Sequence, residues 1–426
     1  MWDNIKIQEG VLERFLRYVQ IDTTADPAST SVPSSPGQKV LGRLLCDEFL
    51  AMGWSAVHDE NGYVIARLPS NVAVEVPTLC FCAHLDTSPD APGLGVKPLV
   101  HPAYNGENLV FPADPGLLLG VSNDQDLERQ IGHTLVTSDG STLLGADDKA
   151  GVAEIMETAY QLAQHPDWPH GPLVFLLTVD EEIGRGVDHL DLKALQVDWA
   201  YTLDGEERGD IEDETFSADA LTLVLHGVSA HPGFALGRMV NALKLAGLVL
   251  AAAARDGEAP EHTQGREGFV HPVSTHGQAE RCQILWILRD FDTKALDRLE
   301  AKVQGWARSV TANYPGSRFD CHRQEQYRNM KETLDRFPFL VDYAMRAMEE
   351  VGLAPQRRFI RGGTDGSRLT AMGLPCPNLF AGGHRFHSRL EWVSAEDMAA
   401  AVQTVLHLTK LFASQPPPFN PAMPKP

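Results

Sequence analysis

The sequence predicts an α/β protein: a mainly parallel mixed sheet with helices on both faces, interrupted by a smaller α+β insert. Two observations carry this. Short apolar runs stop abruptly at polar clusters with a helical repeat between them, and residues 214–330 follow a different alternation.

The apolar runs have the length and composition of strands buried on both faces. Thr78-Leu-Cys-Phe-Cys-Ala83 stops at His84-Leu-Asp86, and Leu173-Val-Phe-Leu-Leu-Thr-Val179 stops at Asp180-Glu-Glu182. Trp199-Ala-Tyr-Thr-Leu203 stops at Asp204, and Asn378-Leu-Phe380 leads into Ala381-Gly-Gly-His-Arg-Phe-His387. After Gly145-Ala-Asp-Asp-Lys-Ala-Gly151, Val152, Ile155, Met156, Ala159, Leu162 and Ala163 recur mostly three or four apart, the period of a helix. Strands alternating with helices imply a mainly parallel sheet, whose ligands collect at the carboxyl ends of the strands. Nearly every cluster of metal-capable residues follows the end of an apolar run.

The insert reads as strand (Ala220 to His226), helix (Met239 to Ala254), short strand (Phe269 to Val273) and stronger strand (Cys282 to Phe291). A helix (Lys294 to Asn313) and a final strand (Ser317 to Gln326) complete it. That β-α-β-β-α-β order is ferredoxin-like. The predicted organisation is therefore residues 1–213 and 331–426 as one domain and 214–330 as the insert, because His387 must rejoin the earlier clusters. The Pro-rich tail from Gln415 to Pro426 is expected to fray.

Composition narrows the functional classes. The chain has 426 residues, 43% hydrophobic and 22% charged, with a formal net charge of −21. An acidic surface repels phosphate backbones and argues against a nucleic-acid partner. The N-terminal amphipathic pattern carries Asp3, Lys6, Glu9 and Glu13 and lacks the apolar core of a signal peptide. The longest uncharged apolar stretch, Leu245 to Ala254, is ten residues, too short for a bilayer. Six scattered cysteines without a CxxC pair suggest reduced thiols, hence a cytoplasmic protein with no membrane partner.

Zinc takes imidazole and carboxylate ligands and favours four of them. Two ions sharing Asp147 and a bridging water would each need two further protein ligands. His84 with Asp204 can serve one and Glu182 with His387 the other, so the count closes. Asp86 lies two residues from His84, on the same strand face, where it can orient the imidazole. Glu181 adjoins Glu182 with its side chain directed elsewhere, and is the candidate general base. Each feature has a plain structural alternative. Asp147-Asp148 could cap a helix, Glu181-Glu182 could be a solvated turn and Asp204-Gly205 an ordinary one. All would have to hold together. Asp148 and Asp180 are read as structural, and His133, His165, His170 and His189 as surface residues. No HExxH, GxSxG or GxxxxGK[ST] motif competes.

These strings resemble the M20 metallopeptidases, and within them the aminopeptidases that act on tripeptides. The resemblance rests on Ala83-His-Leu-Asp-Thr87, Leu143-Leu-Gly-Ala-Asp-Asp-Lys-Ala-Gly151, Asp180-Glu-Glu-Ile-Gly184, Asp204-Gly205 and the His387 region. Gly227-Val-Ser-Ala-His-Pro-Gly233, Met239-Val-Asn-Ala-Leu243, Ile287-Leu-Arg-Asp-Phe-Asp292, Ile360-Arg-Gly-Gly-Thr-Asp-Gly366 and Gly373-Leu-Pro-Cys-Pro-Asn378 extend it. It implies a zinc-peptidase-like catalytic domain with a ferredoxin-like lid, two zinc ions per subunit, and short peptides, tripeptides above all, as substrates. The implied ligands are His84, Asp147 (bridging), Glu182, Asp204 and His387, with Asp86 and Glu181 catalytic. It further implies a cis Asp147–Asp148 peptide, His231 reaching the scissile carbonyl, Arg289 and Arg361 binding the peptide's terminal carboxylate, and a possible homodimer. A dipeptidase or N-acyl amino-acid deacylase of the same family, or a non-catalytic metal-binding protein, are the alternatives. Three places depart from the family pattern: Gly257 to Gly277 with His262, His271 and His276, the charged run Glu206-Glu207-Arg208, and His384-Arg385 beside His387.

Overall fold

The computed structural model describes residues 2–422. The chain forms two compact units. One comprises the residues up to Asp213, Glu332–Arg358 and those from Thr364 onward; the other comprises Glu214–Lys331 with Phe359–Gly363.

The first unit is built on an eight-stranded sheet. Its order is Ser55–His58, Val64–Leu68, Leu173–Thr178, Leu79–His84, Trp199–Gly205, Asn378–Phe380, Asp210–Thr215 and Gln356–Ile360. Its centre is parallel, since Leu79–His84 pairs in parallel with both Leu173–Thr178 and Trp199–Gly205, which pairs in parallel with Asn378–Phe380. Antiparallel strands flank it. Every residue of Leu79–His84 and Leu173–Thr178 is buried, so these strands are covered on both faces. Across them the Phe81 ring stacks on Tyr201 and meets Phe175 at a tilt, each at about 6 Å between ring centroids. The helices Asn4–Tyr18, Ala146–Gln164, Phe339–Glu350 and Ala395–Ser414 pack together, and Ala146–Gln164 lies against the central strands.

A small sheet escaped the sequence reading: Gly383–His384, Trp392–Ser394, Leu135–Thr137 and Leu99–His101. Its strands are two or three residues long, too short to show a period. It packs with a core of Tyr104, Leu109, Phe111, Leu119, Leu127 and Trp392.

The second unit has strands Ser217–His226, Phe269–Gly277, Arg281–Asp290 and Arg318–Tyr327, with helices Ala242–Ala253 and Ala295–Thr311. The sheet is antiparallel and places the first strand between the third and fourth, which is ferredoxin-like topology. The second strand runs four residues beyond the predicted Val273, through an exposed stretch that lacks apolar alternation. The short run Phe359–Gly363, expected with the first domain, groups with this unit. Arg361 donates to the Gly265 and Glu267 carbonyls and to Thr263 Oγ1, and the Phe359 ring meets Phe291 at 5.1 Å.

Two further expectations are corrected. The tail does not fray before residue 420: Trp199 Nε1 donates to the Pro418 carbonyl, and Asn420 bonds Asp198 and the Gly373 carbonyl. Its last residues, 423–426, lie outside the described ones. His170 is buried rather than at the surface, with Nδ1 2.8 Å from the Gly171 carbonyl. All six cysteines are free, and Cys80 and Cys82 are core residues of the central strand. No helix among the described residues is long and apolar enough to cross a membrane.

Candidate metal centre

The carboxyl ends of the parallel strands converge on one cluster. His84 ends the strand Leu79–His84, Asp204 lies near the end of Trp199–Gly205, and Glu181 and Glu182 form a single 3₁₀ turn after Leu173–Thr178. Asp147 lies at the start of the helix Ala146–Gln164 with non-helical φ −83° and ψ 103°, and the Asp147–Asp148 peptide is cis, as the resemblance implies. His387 occupies the left-handed region at φ 59°. A histidine held there carries backbone strain of order 1–3 kcal/mol, which its surroundings must offset.

Asp147 presents one oxygen to each of two groups. Its Oδ1 is 2.9 Å from His84 Nε2, which also lies 3.6 Å from Asp204 Oδ1. Its Oδ2 is 3.2 Å from His387 Nε2, which lies 2.9 Å from Glu182 Oε2. His84, Asp147 and Asp204 thus form one set of potential ligands, and Asp147, Glu182 and His387 form a second. Imidazole nitrogen with carboxylate oxygen is a donor set that suits zinc. Glu182 Oε1 is buried without a hydrogen-bond partner, a free lone-pair position at the second group. The residues fit metal ions.

Other carboxylates hold this cluster in place. Asp86 is fully buried; its two oxygens accept the Glu181 and Glu182 backbone N–H groups at 3.0 and 3.1 Å, and Oδ1 lies 3.4 Å from His84 Nδ1. One side chain therefore orients the imidazole and sets the turn carrying both glutamates. Asp148 accepts from the His84 and Gly151 N–H groups, and Asp180 accepts from Ser34 and Gln38, so both are anchors. Asn378 Oδ1 accepts from the Asp204 N–H at 3.1 Å.

Glu391 was missed in the sequence. It is buried, and its carboxylate accepts the N–H groups of Leu144 (2.8 Å), Gly145 (2.7 Å) and Asp147 (3.0 Å). A lone glutamate 244 residues from Asp147 gives no pattern to read. Glu391→Ala would strand three buried donors, each costing about 1–3 kcal/mol. We expect metal affinity to fall about 10–100-fold. Competition with a chelator measures it, and unchanged affinity would rule out this role.

The second unit carries the remaining predicted residues, which form no group with one another. His231 is exposed and caps a short turn, Nδ1 accepting from the Gly233 N–H at 3.1 Å. Arg289 donates to the Leu288 carbonyl and lies over the Tyr327 ring. Arg361 is engaged with the 263–267 loop and lies over Phe216 and Phe269.

The crowded carboxylates bind protons tightly when no metal competes. Burial, then the Asp147 charge, pushes Glu182 up to about 8. His387 loses some basicity to burial, but Asp147 and Glu182 outweigh this and raise it to about 11. Both folded values exceed the unfolded ones, about 4.3 and 6.5. Their stabilisation is complete below the unfolded values and fades as pH rises to about 8 and 11. Metal requires the same protons to leave. The rise in Tm on adding zinc should therefore grow between about pH 5 and 9. A rise that shrinks over that range would refute the assignment.

At the strand ends of an α/β sheet, two histidine–carboxylate groups joined through one shared carboxylate make a candidate metal centre. The chain belongs to peptidase family M20/M25/M40, whose model matches residues 132–411. Peptidase T of Geobacillus thermodenitrificans is 42% identical over 407 residues, covering 95% of this chain and 99% of that protein. A Staphylococcus aureus tripeptidase superposes with a TM-score of 0.74 at 22% identity, covering 96% and 99% of the two chains. A dinuclear metal-binding M20 peptidase of Bacillus subtilis gives 0.63 at 13% identity, covering 96% and 99%. These two structures bear on the fold alone. With the peptidase T relatives, the family makes this chain a metallo-aminopeptidase.

Proposed function

We propose that the protein is a cytoplasmic two-zinc aminopeptidase that removes the N-terminal residue from tripeptides. The observation that carries the reading is Asp147, with one oxygen facing the His84–Asp204 group and the other facing His387–Glu182. The six free thiols support a reducing compartment.

His84, Asp147 and Asp204 would hold one ion, and Asp147, Glu182 and His387 the other. Zinc so held lowers the pKa of water and polarises a carbonyl. Glu181 takes the proton from the attacking water and delivers it to the departing amine, first as base and then as acid. Asp86 keeps Glu181 at its post through the backbone N–H and fixes the His84 ring. By resemblance, His231 would stabilise the oxyanion and Arg289 and Arg361 would take the peptide's terminal carboxylate, Arg361 on giving up its bonds to the 263–267 loop. Homodimerisation rests on resemblance as well.

The test is a panel with zinc present: a tripeptide, its N-acetylated and C-amidated forms, and peptides one residue shorter and longer. Preferred cleavage of the free tripeptide is expected. Equal cleavage of the acetylated form would favour a deacylase, and of the shorter peptide a dipeptidase.

A further inference from the structure

Two of the three departures from the family pattern, Glu206 and the pair His384-Arg385, line one pocket of about 510 Å³. Its other walls are Ser122 to Asp126. Two of its lining residues lie on the segments that carry candidate ligands: Glu206 follows Asp204 by two residues, His384 precedes His387 by three, and the Gly382 N–H donates to the Glu206 carbonyl, joining the segments.

The charges in and around the pocket do not balance. Arg385 is bound to Asp124, Arg129 to Glu207 and Arg208 to Asp397, so each neighbouring cation is already paired. Asp124 is further satisfied by Trp392 Nε1. Asp126 and Glu206 are left, among the described residues, without a cationic partner apart from the His384 ring, whose Nδ1 is 3.9 Å from Asp126 Oδ2. That ring is 4% exposed, stacks on Trp392 at 4.1 Å and leaves Nε2 without a hydrogen-bond partner. Burial lowers its basicity.

We propose that this pocket receives the cationic side chain of a peptide's N-terminal residue, lysine or arginine, with Asp126, Glu206 and His384 as its partners. The pocket exceeds what an α-ammonium group alone would fill, and its lining offers no apolar floor for a leucine or phenylalanine side chain. This rests on the aminopeptidase reading above, which places the first residue beside the metals.

The experiment titrates the zinc-treated protein calorimetrically with L-lysine and with L-norleucine, which has the same straight chain without the ε-ammonium. Lysine should bind about tenfold tighter, the scale of one or two charge-assisted hydrogen bonds. In Glu206→Gln/Asp126→Asn the gap should close to within about twofold while norleucine affinity holds, and Asp126→Asn alone should close part of it. Equal binding of the two amino acids, or parallel loss of both in the variants, overturns the proposal. Because this readout needs no turnover, a lysine preference with no tripeptide cleavage would sink the aminopeptidase reading and leave the cation pocket standing.

Discussion

Asp147→Ala is expected to cut the proposed two bound ions to one or none and to lower kcat/KM by about 10⁴-fold or more. The size follows from what a zinc-activated water supplies: its pKa falls from 15.7 to about 7, which dwarfs any single hydrogen bond. The geometry says why this one carboxylate should matter more than its neighbours. Both of its oxygens are committed, Oδ1 to His84 and Oδ2 to His387, so its removal takes a ligand from each group at once. The first group of potential ligands is then reduced to His84 with Asp204, and the second to His387 with Glu182. Losing Asp204 or Glu182 should instead cost one group only. Asp147→Asn keeps the shape but replaces one acceptor oxygen with a donor, so it should serve one group and fail the other. Elemental analysis after gel filtration, with steady-state kinetics on a tripeptide, checks all of this. An alanine variant that kept two ions and the parental rate would end the shared-carboxylate reading.

What the sequence revealed and concealed follows a physical line. The buried strands were legible because runs such as Leu173 to Thr178 are apolar on both faces and end sharply at acids. The insert was legible because its helices and long strands keep their periods, as in Ala295–Thr311, where Leu296, Leu299, Val303 and Ala307 are buried. Metal-capable residues stood out because histidines and acids at strand ends are conspicuous against apolar runs. Residues that hold others from far away in the chain were not legible, unlike Asp86, which sits two residues from His84. Glu391 and Asn378 act through backbone groups far away in the chain, and nothing in their neighbours marks a buried acid as different from a solvated one. The small sheet stayed hidden for want of length, and the tail because its anchors are a few isolated bonds to Asp198, Trp199 and Gly373. Arg361 carries a different lesson. Its motif suggested a free carboxylate-binding fork, yet its donors are committed to the 263–267 loop, a segment the family pattern did not cover.

Glu181→Gln should reduce kcat by about 10²–10⁴-fold, the usual worth of a positioned acid–base group, while leaving KM and metal content near the parental values. The separation is expected because Glu181 belongs to neither group of potential ligands. Its backbone N–H is fixed by Asp86, and glutamine keeps that bond. The carboxyl is tuned upward: burial pushes its pKa well above the ordinary carboxylate range, His84 opposes this, and the charges of Asp365, Asp204 and Glu182 reinforce it. Asp365 is itself buried, and burial pushes its own carboxyl up to about 6. The sign of the pH dependence follows. A base must be ionised to act, so parental kcat should climb as pH rises through the pKa of Glu181 in the complex, and the variant should lose that limb. A merely structural role would lower the whole curve without removing the limb. Glu181→Asp, which keeps the carboxyl but shortens its reach, should keep the limb at reduced height. Should the glutamine variant turn over tripeptides as fast as the parent, the proton must travel by another group, and Asp365 would be the next to change.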